Sequence, residues 1–96
     1  MPPFALVGEP RAAWEEVEAE VRRLPRSRIV GREEGYIHAE ARTPVGFVDD
    51  LELQLRAEEG LVAVRSASRL GWSDLGVNRA RVEALRESLR KRGVVR

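Results

Sequence analysis

Asp50-Leu51-Glu52-Leu53-Gln54-Leu55-Arg56 alternates strictly between polar and apolar residues, with Leu51, Leu53 and Leu55 on one side. Tyr36-Ile37-His38-Ala39-Glu40-Ala41-Arg42 alternates in the same way, with Ile37, Ala39 and Ala41 opposite Tyr36, His38, Glu40 and Arg42. A period of two over seven residues belongs to strands of an antiparallel sheet that is dry on one face and wet on the other. A shorter apolar run around Ile29 and Val30 precedes the Tyr36–Arg42 stretch through Glu33-Glu34-Gly35, and Leu61 to Ser68 follows the Asp50–Arg56 stretch through Glu58-Glu59-Gly60. Both joints carry the glycine that a short hairpin loop favours. Thr43-Pro44-Val45-Gly46 reads as the turn between the two hairpins.

Outside the strands the period changes. After Glu9-Pro10, where proline suits a first helical turn, Trp14, Val17, Val21 and Leu24 form one apolar stripe that Pro25 ends. Glu18 and Arg22 are placed as an i, i+4 pair on its wet side. Near the end, Val82, Leu85 and Leu89 form a second stripe, with Glu87 and Lys91 spaced to pair. Arg90, Lys91 and Arg92 sit at the C-terminal end, and Gly93 follows as the C′ residue. Asp74 or Asn78 is the expected N-cap.

Two striped helices and a one-faced sheet bury each other's apolar surfaces. The expected fold is α+β: a two-layer sandwich of order α-β-β-β-β-α, a four-stranded antiparallel meander with both terminal helices on one face. Residues 1–9 read as an N-terminal extension and 10–96 as a single domain. The predicted core is Ile37, Ala39, Leu51, Leu53, Leu55, Val62 and Val64 against Trp14, Val17, Val21, Val82, Leu85 and Leu89. A turn at Glu58-Glu59 sets the register, with Leu53 facing Val64, Glu52 facing Arg65, Asp49 facing Ser68 and Asp50 beside Arg69.

The 96 residues make one domain, with 17 basic against 16 acidic side chains and a net charge of +1. That balance argues against a nucleic-acid partner, whose binding scales with phosphates neutralised. There is no cysteine, and His38 is the one histidine, so thiolate metal sites and cysteine nucleophiles are excluded and no cofactor is expected. A solvated His38 on the wet face is the expectation. No stretch has the roughly 20 apolar residues of a membrane span, nor the pattern of a secretory signal. The expected setting is cytoplasmic, with no membrane partner, as a monomer or weak dimer.

The unusual stretch is Arg65-Ser66-Ala67-Ser68-Arg69-Leu70-Gly71-Trp72-Ser73-Asp74-Leu75-Gly76-Val77-Asn78-Arg79-Ala80-Arg81. Hydroxyls and guanidinium groups beside a helix start make a seat for an anion. The same residues also make a structural clamp, with Arg69 held by Asp49, Asp50 or Asp74. Trp72 reads as a core plug or a stacking surface. From Ser66 to Arg81 the stretch resembles the signature SxSRxGxxDxGxNxxR of the domain-of-unknown-function family 1499. Phe47-Val48-Asp49-Asp50 is similar to that family's aromatic-plus-aspartate segment. The resemblance runs from about Trp14 to Leu89 and implies no particular activity.

The functional expectation is a non-catalytic domain holding an anionic small molecule or an acidic partner group. The candidate ligand-binding residues are Arg65, Ser66, Ser68, Arg69, Ser73, Asp74, Asn78, Arg79 and Arg81, with no catalytic or metal residues. In the anion seat, Arg69 and Arg79 converge with the serines on one accessible hollow. The alternatives are an enzyme acting on a phosphorylated or carboxylated substrate, for which the available bases are Asp49, Asp50 and Asp74, and a scaffold whose polar cluster has no ligand.

Overall fold

A computed structural model describes residues 1–69 and 76–96 of the chain. The elements follow as β1 (Phe4–Ala5), α1 (Pro10–Arg22), β2 (Ser27–Glu33), β3 (Tyr36–Arg42), β4 (Val48–Arg56), β5 (Leu61–Ser68) and α2 (Val77–Lys91). Helix α1 starts where Pro10 allows it, and the Glu9 carboxylate accepts from the Arg11 and Ala12 N–H groups at 2.7 and 3.2 Å. The apolar stripe of α1 buries Trp14, Val17 and Val21, and that of α2 buries Val82, Leu85 and Leu89. Both stripes pack with Ile37, Ala39, Leu51, Leu53, Val62 and Val64 in one core between helices and sheet; Leu55 is half-buried at its margin. Among the described residues no helix is long and apolar enough to cross a membrane.

The sheet has five antiparallel strands in the order β1-β5-β4-β3-β2, so the expected meander is present but the expected count of four is corrected. Its register is the one the turn predicts, with Leu53 opposite Val64, Glu52 opposite Arg65 and Asp49 opposite Ser68. The added strand, β1, is two residues long, too short for alternation to reveal it. Phe4 pairs with Val62 and is fully buried, under the Arg86 guanidinium at 4.7 Å from the ring centre. That guanidinium also donates to the carbonyls of Pro2 and Pro3.

Gly93, at φ 76°, reverses the chain after α2 and returns Val94 and Val95 to the core. The returning tail then pairs with the start of the chain. Val7 N–H donates to Val94 at 2.9 Å and Arg96 N–H to Ala5 at 2.9 Å, around a bridge between Leu6 and Val95.

Two helical expectations are also corrected. Glu18 is buried rather than on the wet side, because a bulge between Ile29 and Gly31 turns Arg32 towards the helices. Its carboxylate takes Arg22 at 2.6 Å and Arg32 at 2.8 Å, tying α1 to β2. Glu87 pairs with Arg90 at 2.5 Å, one position short of Lys91.

Candidate functional site

The inner face of the sheet carries polar residues at one end. Alternation puts Asp49 of β4 and both Ser66 and Ser68 of β5 on the face that holds Leu51, Leu53 and Val64. Helix α2 presents Asn78 and Arg81 to them, three residues apart and therefore on one side of the helix. Asn78 was expected among the caps, but Gly76, at φ 81°, holds the N-cap position of α2, which places Asn78 inside the first turn and fully buried.

The side chains close on one another in a ring. Ser68 Oγ donates to Asp49 Oδ1 at 2.9 Å, and Asn78 Nδ2 donates to Ser68 Oγ at 3.2 Å. Ser66 Oγ donates to Asn78 Oδ1, and Arg81 Nη1 donates to that oxygen at 2.9 Å and to Ser66 Oγ at 3.1 Å. Arg81 Nη2 completes the circuit 2.9 Å from Asp49 Oδ2. That last approach is close but poorly aligned for a hydrogen bond, so Oδ2 is held by charge alone. Asp49 has no exposed surface, and a charge so deeply buried requires its counter-ion.

The outer face holds a second network. Arg69 donates to both oxygens of Asp50 at 2.9 Å and to Glu40 at 2.5 Å. His38 Nε2 lies 2.8 Å from Asp50 Oδ1, so the expected solvated histidine is instead a member of this network. Tyr36 donates to Glu52 at 2.6 Å, and Arg65 reaches the other Glu52 oxygen at 3.0 Å. The Arg69 hydrogen bonds hold the Asp50 carboxyl at about 2 against the opposing effect of burial, with His38 adding to the depression. Glu40 is lowered by its bond from Arg69, and Glu52 by its bond from Tyr36. The Tyr36 hydroxyl is pushed up to about 12, first by the Glu52 hydrogen bond and then by burial.

The seven sequence-predicted residues among those described thus do not meet in one hollow. Ser66, Ser68, Asn78 and Arg81 converge on the inner face, while Arg65 and Arg69 lie on the outer face, engaged by carboxylates. Arg69 is occupied as a clamp requires, yet its side chain is 47% exposed. Arg79 is exposed on α2 and lines a hollow of about 660 Å³ with Met1, Pro2, Val82, Glu83 and Arg86. Ser73 and Asp74, like Trp72, lie outside the described residues. Glu40 and Tyr36 were missed as partners, although their common face was legible in the strand alternation, whereas Glu52 meets Arg65 as the predicted register requires.

A family model matches residues 1–89, the family described as a protein of unknown function, DUF1499. The chain belongs to this family. No curated protein and no solved structure matches it. In this DUF1499 domain the inner ring fastens the end of β5 to the first turn of α2, and the outer network laces β3, β4 and the residue after β5.

Proposed function

We propose that this DUF1499 domain is a non-catalytic binding module that recognises an anionic group, on a small molecule or an acidic partner, at the end of the sheet where α2 begins. One observation carries the reading. Arg65, Arg69 and Arg81 each face a carboxylate, whereas Arg79 is exposed with no ion-pair partner among the described residues. Arg79 stands in the first turn of α2, where the helix dipole adds positive potential. The ring of Asp49, Ser66, Ser68, Asn78 and Arg81 is the rigid floor beneath that turn. Binding is favoured over catalysis because Asp50, held at about 2, is a feeble proton acceptor at neutral pH.

The test is a ¹H–¹⁵N NMR titration with phosphate, and separately with citrate, at constant ionic strength. Saturable shifts at the Arg79 and Ala80 amides, lost in Arg79→Ala, are the expected result. Amides there that do not move, or that move equally in Arg79→Ala, would refute it. The closure of the inner ring favours a second reading, a scaffold without a ligand at this end, and that refuting outcome would select it.

A further inference from the structure

We propose a separate anion site, independent of the α2 end, in the hollow lined by Arg26, Ser27, Arg28, Glu40, Arg42 and Thr43, with a phosphate monoester as its ligand class. The register creates the site. Arg42 N–H donates to the Arg26 carbonyl at 2.8 Å, which sets the two arginines opposite each other where β2 and β3 meet. Like charges placed across a strand pair repel. Neither arginine has an ion-pair partner among the described residues, and both are exposed. Arg28 adds a third guanidinium. Its carboxylate, Glu40, lies 3.8 Å away and is held more closely by Arg69, at 2.5 Å.

The backbone points the same way. Arg26 is the one non-glycine residue with positive φ among the described residues, at 55°. An L-residue is strained in that conformation, which glycine adopts freely. Arg26 is nevertheless fixed there. Its carbonyl is bound by Arg42, and the hydroxyl of its neighbour Ser27 donates to Leu24 at 2.7 Å. A long cation thus occupies a strained position that anchors it over the hollow.

Size and rim specify the ligand class. The hollow is about 460 Å³, room for a small phosphorylated molecule. A dianion seated between Arg26 and Arg42 would cancel their repulsion and accept paired N–H bonds from guanidinium forks. The Thr43–Phe47 turn beside it exposes Val45 at 76% and Phe47 at 49%, apolar surface for the uncharged part of the ligand. A soluble phosphomonoester and a phosphatidate headgroup share this chemistry.

Thermal unfolding and NMR titration with glycerol 3-phosphate, against chloride at equal ionic strength, test the site. Vesicle sedimentation on phosphatidate-containing against pure phosphatidylcholine vesicles tests the second source. The expected result is a rise in Tm with ligand and saturable shifts at the Arg26 and Arg42 amides. In both Arg26→Gly and Arg42→Gln the dissociation constant should rise at least about tenfold, while Arg79→Ala leaves it unchanged. Arg26→Gly should also melt higher than the parent without ligand, and Arg42→Gln serves as the second variant should Arg26→Gly misfold. Binding to vesicles alone, lost in the same variants, identifies the headgroup as the source. Binding that survives both variants, response to an acidic peptide but to neither phosphate form, or no response at all would overturn the proposal. Loss of this site leaves the Arg79 resonances, and the reading they test, untouched.

Discussion

Arg81 on α2 lies 2.9 Å from Asp49 on β4, and that approach is what holds the second oxygen of a fully buried carboxylate. Removing the arginine strands the charge. Arg81→Ala should therefore cost about 3–5 kcal/mol, the range for breaking a buried pair from one side. Adding Asp49→Asn should restore much of that loss, so a double-mutant cycle from denaturant melts would show strong coupling. Additive losses would mean that the ring does not act as a unit.

Acid should reach the outer network in a defined window. The Asp50 carboxyl is held at about 2, below its ordinary 3.8, so its contribution is complete above the ordinary value. As pH falls from about 4 towards 2 the unfolded chain takes up the proton first, and stability declines through that interval. Arg69→Ala removes the main cause of the depression, so its acid-unfolding midpoint should move to higher pH. Equal midpoints in parent and variant would show that Arg69 does not set the window.

At the alkaline end Tyr36 acts in the mirror sense. Its hydroxyl is raised to about 12 from 10.0, so the stability it brings is present below 10 and lost as pH rises towards 12. Tyr36→Phe should flatten the stability curve there, measured by denaturant melts at stepped pH. An unchanged alkaline slope would contradict the Tyr36–Glu52 bond.

Phe4→Ala should destabilise the domain by about 3–5 kcal/mol, as truncation of a buried aromatic does. A chain whose first residues were only an extension would barely notice the change. Urea melts distinguish the two outcomes.

Leu53→Ala, at the centre of the sheet's dry face, should cost about 2–5 kcal/mol. Gln54→Ala, its neighbour on the outer face, should change stability far less. Comparable losses would be incompatible with the two-layer arrangement.

The meander, its register and both helices were legible because alternation and helical stripes leave long periodic records. Asp49 and Asp50 were separable for the same reason, since neighbours on a strand point to opposite faces. β1 left no such record, and the pairing of Leu6 with Val95 joins residues whose relation no local pattern encodes. The site was legible as a stretch but not as a place. Alternation that separates Arg65 and Arg69 from Ser66 and Ser68 also divides the candidate residues between two faces. The confrontation of Arg26 with Arg42 depends on how two strands leave a helix and a turn, and neither residue signals it alone.

The pairing of Ala5 with Arg96 bears on the order of folding. Each hairpin of the meander closes a loop of a few residues, whereas this contact closes a loop nearly as long as the chain. Loop entropy grows with length, so the two ends should join last, after β2 to β5 have condensed. Their separation should also be the first step of unfolding. In amide exchange, Val7 and Arg96, whose N–H groups join the two ends, should lose protection through an opening that Leu51 and Leu53 do not share.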